Sequence, residues 1–195
     1  MIDSQNLNPP PLVEAIEAAS QAMGFTMASD RLTGSLLRTL AASRPAGQFL
    51  EIGTGTGLSA AWLLAGMDTA SVLITVDRDE QALAVARRFL QDDPRIALNL
   101  ADGKPFIDSL LGQEQTFDFI FADSWPGKFT YLQETLQLLK VGGFYVIDDL
   151  LPQSSWPEVH PPKVTRLIAT LEQMDSLHVT KLNWSTGIII ATRKC

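Results

Sequence analysis

The stretch of sequence that decides the fold is FLEIGTGTG, residues 49–57. Its first four residues favour a short buried strand, and the three glycines that follow favour a tight turn into a helix. Glycine allows positive φ and lets the backbone approach a bound molecule closely. The start of the next helix supplies free N–H groups and the positive end of its dipole. The sequence therefore predicts a strand, a ligand-binding turn and a helix here.

Strands and helices alternate along the rest of the chain. After the glycine turn we expect four more strands, near residues 72–76, 96–98, 117–121 and 144–147. Helices are expected near residues 58–66, 80–90, 129–139 and 163–174. This alternation predicts a Rossmann-like α/β fold, with a mostly parallel sheet and helices on both faces. Strands near residues 179–183 and 187–192 form a predicted hairpin, which makes the last strand antiparallel.

The length of 195 residues and the hydrophobic fraction of 46% fit one globular domain. We expect a single domain over residues 1–195, with an N-terminal helical cap region at 1–45 and the core at 46–195. The N-terminus lacks a signal peptide pattern. The single cysteine, Cys195, allows no disulfide within the chain. These features predict a cytoplasmic protein.

Charge and hydropathy limit the partners that we expect. The formal net charge is -7, and lysine and arginine form no cluster beyond short pairs. This distribution disfavours DNA and membrane surfaces as partners. No apolar run reaches the roughly 20 residues needed to cross a bilayer. We therefore expect a small-molecule partner.

Acidic residues follow the predicted strands at their carboxyl ends. They are Glu51, Asp77, Asp102, Asp123, Asp148 and Asp149. Ligands of open α/β sheets bind at this edge. A carboxylate at Asp77, after the second strand, can accept hydrogen bonds from both hydroxyls of a ribose.

A nicotinamide dinucleotide is the main rival ligand, because residues 55–60 match a loose G-x-G-x-x-A pattern. Glu51 argues against it, since a carboxylate beside a pyrophosphate would be repelled. A carboxylate at this position suits a ligand whose near end carries an ammonium and a sulfonium.

The combination of Glu51, the three glycines and Asp77 resembles the class I S-adenosylmethionine-dependent methyltransferases. The closer resemblance is to the catechol and caffeoyl-CoA O-methyltransferase group. The segments that carry it, in that group's order, are FDFIFAD at 117–123, LLKVGG at 138–143, VIDD at 146–149 and GIII at 187–190. The resemblance covers about residues 30–194. It implies a seven-stranded sheet in the order 3-2-1-4-5-7-6.

The resemblance also implies a set of cofactor-binding residues. The methionine part of S-adenosylmethionine would lie against the glycine turn, with the ribose at the second strand and the adenine after the third. The residues are Glu51, Gly53, Gly55, Gly57, Asp77, Asp102 and Asp123. Residues 27–29 would close over the cofactor. Many relatives form dimers, so a homodimer through residues 7–25 is a further expectation.

The resembling enzymes hold a divalent cation with an Asp after the fourth strand and an Asp-Asn pair after the fifth. Asp123 and Asp148 match this pattern, and Asp149 stands where the Asn is usual. Three carboxylates suit Mg²⁺, Ca²⁺ or Mn²⁺. Such a metal would lower the pKa of an acceptor hydroxyl and position its oxygen.

The catalytic base does not follow from the pattern. The resembling enzymes place a lysine three residues after the first metal Asp, and Pro126 stands there in this chain. Lys128, two residues later, and His160 are the candidates for the base. Trp125 and Trp156 would stack on a flat acceptor.

Three functions based on S-adenosylmethionine therefore remain open, and so does a dehydrogenase, which would have to bind a nicotinamide cofactor. The first is metal-assisted O-methyl transfer to a small hydroxylated acceptor. The second is metal-independent O- or N-methyl transfer with His160 or Lys128 as base. The third is cofactor binding without catalysis, in which Pro126 marks a lost base.

Overall fold

The computed structural model describes residues 2–153 and 156–195. Seven strands form one sheet: β1 (Gln48–Ile52), β2 (Val72–Asp77), β3 (Ile96–Leu100), β4 (Phe117–Ala122), β5 (Leu139–Ile147), β6 (Leu177–Leu182) and β7 (Ile188–Arg193). Their order across the sheet is β3-β2-β1-β4-β5-β7-β6. The first five pair in parallel, and β7 runs antiparallel to both β5 and β6. The predicted fold class and strand order are confirmed.

Seven helices accompany the sheet in the described residues: α1 (Val13–Ala22), α2 (Arg31–Ala42), α3 (Leu58–Gly66), α4 (Glu80–Leu90), α5 (Gly103–Gly112), α6 (Leu132–Gln137) and α7 (His160–Glu172). Aspartates cap three of them. Asp30 accepts from the backbone of α2, Asp79 from that of α4 and Asp102 from that of α5. Each caps N–H groups that the helix leaves unpaired.

Two hydrophobic clusters hold the helices against opposite faces of the sheet. One contains buried side chains of α5, α6 and α7, and the other contains those of α1, α2 and α3. Strand β4 contributes to both clusters, because neighbouring side chains of a strand point to opposite faces. The ring centroid of Phe119 lies 5.5 Å from that of Phe49 on one face of the sheet, and Ile120 is buried on the other face. The centre of the sheet is therefore covered on both sides.

The N-terminal helices share their core with the sheet. Val13 and Ile16 of α1 and Leu37 of α2 are fully buried, in one cluster with Trp62 of α3. Buried apolar side chains of this kind each stabilise the fold by about 1.5–3 kcal/mol.

The division of the chain into a cap region and a core stays a prediction, and so does the homodimer.

Two predicted helix boundaries differ from the structure. The helix expected at 129–139 is shortened to α6, because Tyr131 takes a left-handed φ of 57° and Leu139 pairs with Phe117 as the start of β5. Helix α7 begins at His160, earlier than expected, since prolines fit the first turn of a helix. His160 is therefore the first residue of α7 rather than part of a loop before the helix expected at 163–174.

Across residues 2–153 and 156–195, every helix is too short or too polar to cross a membrane.

Replacing Gly34 with alanine should destabilise the protein. A Cβ at Gly34 would lie 2.3 Å from Cδ1 of Trp62, a rigid buried ring. We expect the free energy of unfolding to fall by about 1–3 kcal/mol, as overpacking of a core does. Urea denaturation measures the change. Gly112→Ala is the matched control, because a Cβ there meets no atom within 4 Å. An equal stability of Gly34→Ala and the wild type would contradict this packing.

Candidate active site

A cavity of about 730 Å³ opens at the carboxyl ends of β1, β2 and β4. It is lined by residues from the glycine turn, from the strand ends and from the segment between α1 and α2. Those that matter below are Gly53, Gly55, Asp77, Asp102, Asp123 and Ser29. The sequence predicted that these strand ends would form a binding site, and the structure brings five of the predicted residues to one cavity.

The glycine turn follows β1 and bends sharply at Gly53, where φ is 108°. A Cβ at this position would lie 2.6 Å from the backbone oxygen of Asp123. Glycine is therefore needed both for the left-handed φ and for the close approach of β4. Gly57 has a different role. It precedes α3 with φ of 90° and does not line the cavity, and a Cβ there would lie 2.8 Å from Cδ1 of Leu90 in α4.

Asp77 ends β2 and fixes the glycine turn. Its Oδ2 accepts from the N–H of Gly55 at 2.7 Å, and its Oδ1 accepts from the N–H of Asp79 at 2.9 Å. Each carboxylate oxygen has two lone pairs, so each can still accept from a ligand hydroxyl. Asp102 caps α5 at the same rim, where its Oδ1 accepts from the N–H of Lys104 at 2.9 Å.

Glu51 lies beneath the glycine turn and, unlike Ile52 and Gly53, does not line the cavity. Its side chain is fully buried. Oε2 accepts from Oγ1 of Thr75 at 2.6 Å, and Oε1 has no partner within the described residues. Burial raises the pKa of Glu51 to about 8, the hydroxyls of Ser59 and Thr75 oppose this increase, and the nearby Asp123 and Asp77 add to it. The carboxyl group is therefore mostly neutral at pH 7.

Asp123 lines the cavity at the end of β4. Oγ of Ser29 donates to its Oδ2 at 3.2 Å, so the segment between α1 and α2 contacts the strand end. Burial raises the pKa of Asp123, the positive charge of Lys128 opposes this, and Asp148 and Asp149 raise it further. These groups therefore influence one another electrostatically.

Asp148 ends β5 and is nearly fully buried. Its carboxylate accepts three hydrogen bonds, from Oγ1 of Thr33 at 2.7 Å, from Oγ1 of Thr186 at 2.5 Å and from the N–H of Asp149 at 2.7 Å. Three of its roughly four lone-pair positions are thus occupied. Oδ1 of Asp149 accepts from Nε2 of Gln153 at 2.7 Å. Neither aspartate lines the cavity.

The predicted metal ligands do not converge. Over the part of the chain that the structure describes, histidine, cysteine and carboxylate side chains form no group of three that could hold a metal ion. The hydrogen bonds that Asp148 already accepts explain this absence, because they hold its carboxylate oxygens against two threonine hydroxyls and the backbone. The set of Asp123, Asp148 and Asp149 as three carboxylate ligands does not fit a divalent cation in this conformation.

Lys128 follows β4 in a compact turn and points inward. Its side chain is 3% exposed, and Nζ donates to the backbone oxygen of Asp148. The turn is held by the N–H of Phe129, which donates to the oxygen of Trp125 at 2.9 Å. From the core, Oη of Tyr145 donates to the oxygen of Gly127 at 2.5 Å. Lys128 is therefore a buried group in a fixed turn.

His160 belongs to an aromatic cluster at the same edge of the sheet. Its ring centroid lies 5.0 Å from that of Phe129 and 4.3 Å from that of Trp156. Trp125 packs edge-on to Phe129 at 5.9 Å and is 45% exposed. Burial lowers the pKa of His160, and the charge of Lys128 lowers it further. Its Nε2 is buried and has no partner within the described residues.

Several site residues have no signal in the sequence. Thr33 and Thr186 bind Asp148 from positions 115 and 38 residues away along the chain. Phe25 lines the cavity from the segment before α2 and lies against Gly55. Ser29 belongs to the segment that the resemblance implied would close over the site. An isolated threonine or serine is too common to reveal such a contact.

Replacing Glu51 with glutamine should change how stability depends on pH. Folded Glu51 keeps its proton up to about pH 8, whereas an exposed glutamate loses it near pH 4.5. Between these values the folded state binds one more proton than the unfolded state, so the free energy of unfolding falls as pH rises. Glu51→Gln removes this contribution, which has a slope of about 1.4 kcal/mol per pH unit in the middle of the window.

We therefore expect the difference in Tm between Glu51→Gln and the wild type to shift in favour of the variant as the pH rises from 5 to 8. Thermal unfolding in buffers across this range measures the difference. Glu80→Gln, at an exposed position of α4, is the control and should follow the wild type. Parallel curves for Glu51→Gln and the wild type would contradict a protonated Glu51.

Solved structures of similar fold were found over nearly the whole chain. The O-methyltransferase TomG of Streptomyces achromogenes, involved in tomaymycin synthesis and solved with S-adenosylmethionine, has a TM-score of 0.84 and 19% identity. The match covers 99% of this chain and 94% of TomG. An O-methyltransferase of Bacillus cereus, solved with S-adenosylhomocysteine, has a TM-score of 0.84 and 21% identity, over 98% of this chain and 94% of that one. These similarities support the fold.

Sequence comparisons identify the family. A protein of Mycobacterium ulcerans that carries an O-methyltransferase name is 30% identical over 154 residues, which cover 72% of this chain and 68% of that protein. A protein of Mycobacterium sp. strain KMS with the same name is 28% identical, and the match spans 64% of its length. The sequence model of the O-methyltransferase family matches residues 3–194. This chain therefore belongs to the O-methyltransferase family.

Proposed function

We propose that this protein transfers a methyl group from S-adenosylmethionine to the oxygen of a small hydroxylated acceptor. The observation that carries the proposal is the cavity of about 730 Å³, in which the glycine turn, Asp77 and Asp102 surround one space in a member of the O-methyltransferase family. The volume is within the range of small-molecule sites. TomG and the Bacillus cereus enzyme, which share this fold, were solved with S-adenosylmethionine and S-adenosylhomocysteine.

The residues that line the cavity fit the parts of S-adenosylmethionine. Asp77 has free lone pairs for the ribose hydroxyls, and Asp102 lies beyond it on the adenine side. Gly53 and Gly55 present bare backbone, which allows the methionine part to approach closely. Asp123 adds a carboxyl group to the lining of the same cavity, and we infer that it faces the cationic groups of the cofactor.

The chemistry requires positioning and the removal of one proton. S-adenosylmethionine supplies a methyl group bound to a sulfonium. The acceptor oxygen forms a bond to the methyl carbon as the bond between carbon and sulfur breaks, and the hydroxyl proton passes to a base. The protein contributes by holding the two reacting groups in line and by accepting that proton.

We take His160 as the base in this proposal, because its Nε2 has no hydrogen-bond partner within the described residues, and burial lowers its pKa, which favours the neutral imidazole. Neither His160 nor Lys128 lines the cavity, so the acceptor would extend beyond the cavity to reach the base. Lys128, the other candidate, is buried, and its Nζ already donates to the carbonyl oxygen of Asp148. The aromatic rings of Trp125 and Phe129 beside His160 suit a flat, hydroxylated acceptor.

A divalent metal would lower the pKa of the acceptor hydroxyl if the three aspartates held one. Because the carboxylate of Asp148 is occupied by hydroxyl and backbone donors, we assign no step to a metal. The metal-assisted form of the reaction stays a prediction of the sequence. The metal-independent form is favoured because the carboxylate of Asp148 is occupied and Lys128 donates to the carbonyl oxygen of the same residue.

Replacing Asp77 with alanine should weaken binding of S-adenosylmethionine. The variant loses the carboxylate that would accept from the ribose hydroxyls and that accepts from the N–H of Gly55. Hydrogen bonds to a carboxylate contribute about 1.5–3 kcal/mol each. We expect Kd to rise at least about tenfold. Isothermal titration calorimetry measures it, with NAD as a second ligand. Asp92→Asn, at an exposed position after α4, should bind like the wild type. Unchanged affinity in Asp77→Ala would refute this role, and no binding by the wild type would refute the proposed function.

Replacing His160 with asparagine should slow methyl transfer without changing cofactor affinity. Loss of a general base reduces kcat by about 10²–10⁴-fold. The assay follows S-adenosylhomocysteine formation with 3,4-dihydroxybenzoate and simple phenols as acceptors. His178→Asn is the control, because His178 lies exposed on β6. Equal kcat values would exclude His160 as the base. Tight binding of S-adenosylmethionine with no turnover on any acceptor would instead favour a non-catalytic binding protein.

A further inference from the structure

Glu51 is fully buried beneath the glycine turn, and half of its carboxyl group has no partner. In the described part of the chain, Oε1 accepts no hydrogen bond and no lysine or arginine forms an ion pair with Glu51. The charged groups that act on it, Asp77 at the end of β2 and Asp123 after β4, are both acidic. A carboxyl group in such surroundings keeps its proton, because its charged form is neither solvated nor paired.

A chain of two hydroxyl groups leads from Glu51 to the wall of the cavity. Oγ1 of Thr75 lies 2.6 Å from Oε2 of Glu51, and Oγ1 of Thr54 lies 2.6 Å from Oγ1 of Thr75. Thr75 belongs to β2, whereas Thr54 belongs to the glycine turn and lines the cavity. Both threonines are buried, so protein rather than bulk water surrounds the chain.

The direction of this chain depends on the charge of Glu51. Each hydroxyl donates one hydrogen bond. When Glu51 is a carboxylate, Thr75 donates to it and Thr54 donates to Thr75, so the lone pairs of the Thr54 oxygen face away from Glu51. When the protonated carboxyl group donates to Thr75, both hydroxyls turn, and the hydrogen of Thr54 faces away instead.

The same chain provides a path for the buried proton. The proton of Glu51 passes to Thr75, the hydroxyl proton of Thr75 passes to Thr54, and that of Thr54 passes to water in the cavity. Two bonds between oxygen and hydrogen are re-formed along the chain, and the only net change is that Glu51 becomes a carboxylate and one proton enters the solvent.

Positive charge in the cavity favours the carboxylate form of Glu51. S-adenosylmethionine carries an ammonium and a sulfonium, and the glycines that suit its methionine part, Gly53 and Gly55, follow Glu51 directly along the chain. Interactions between charges are stronger in a protein interior than in water. The orphaned carboxyl group therefore lacks the kind of charge that this cofactor would bring.

We propose that binding of S-adenosylmethionine releases the proton of Glu51 through Thr75 and Thr54. The inference rests on the proposed function, because this cofactor is the ligand. Glu51 is then a positioning residue, which acts on the cofactor by its charge and through the hydroxyl of Thr54. The carboxylate stabilises the sulfonium of the substrate more than the neutral sulfur of S-adenosylhomocysteine, so the coupling favours exchange of the product for a new cofactor.

The coupling makes cofactor affinity depend on pH. Because binding releases a proton, the Kd falls as pH rises, by up to about tenfold per pH unit. The effect ends where the free protein loses the proton by itself, and burial raises the pKa of Glu51 to about 8. Glu51→Gln carries no proton to release, so its Kd should change less over the same range.

Isothermal titration calorimetry with S-adenosylmethionine measures the proton directly. Titrations at about pH 6.5, where the amine of the cofactor keeps its own proton, are run in PIPES and in Bis-Tris, whose enthalpies of ionisation differ. We expect the wild type to release at least about half a proton more per bound cofactor than Glu51→Gln. Asp123 lines the same cavity and can release a proton of its own, so this difference isolates Glu51.

Two further variants test the specificity and the path. Glu80→Gln, at an exposed position of α4, is the matched control and should release as many protons as the wild type. Thr75→Val keeps the shape of the side chain but removes the hydroxyl that stabilises the carboxylate and connects it to Thr54. It should release fewer protons than the wild type, although Glu51 is still present.

Equal proton release by the wild type and a folded Glu51→Gln protein would overturn the proposal, and so would a wild type that releases no proton at this pH. Equal release by Thr75→Val and the wild type would overturn the path through the hydroxyls. Circular dichroism establishes that the variants are folded, and Thr75→Val replaces Glu51→Gln in the comparison if the latter is not. Failure of the wild type to bind S-adenosylmethionine would refute the proposed function together with the coupling, whereas binding without the difference in protons would refute the coupling alone.

Discussion

Parallel pairing of β1 with β4 is the constraint on which the site depends. The two strands align Ile52 with Ala122, and the N–H of Asp123 donates to the oxygen of Ile52 at 3.0 Å. Gly53 then turns directly over the end of β4, where a Cβ would lie 2.6 Å from the oxygen of Asp123. Any side chain at Gly53 would push the strands apart. This close approach places the glycine turn and the acidic end of β4 at one cavity.

The site buries several charged groups, and each is stabilised differently. Glu51 has a raised pKa and is mostly neutral at pH 7, which avoids the cost of a buried charge. Asp148 accepts three hydrogen bonds that favour its carboxylate, although burial raises its pKa. Lys128 donates to the backbone oxygen of Asp148. The protein can therefore hold several acidic residues at one edge of the sheet and still fold.

The N-terminal segment completes the site rather than only covering it. Ser29 donates to Asp123, and Thr33, in the first turn of α2, donates to Asp148. Both strand ends are thus tied to the start of one helix, which Asp30 caps. The close packing of Gly34 on Trp62 fixes this helix against α3. The positions of the two acidic side chains depend in this way on the packing of helices that precede the sheet.

The sequence by itself determined the α/β fold, the glycine turn and the gathering of acidic residues at one edge, because these follow from local patterns and from the direction of parallel strands. The strand order followed from the resemblance to a family. Only the tertiary structure decided that Glu51 lies beneath the turn, that Gly57 packs on α4 and that Lys128 is buried. It also decided that Thr33 and Thr186 hold Asp148 from 115 and 38 residues away. Such contacts depend on how helices and turns pack across the sheet, and no local pattern encodes which distant hydroxyl or ammonium will meet a given carboxylate.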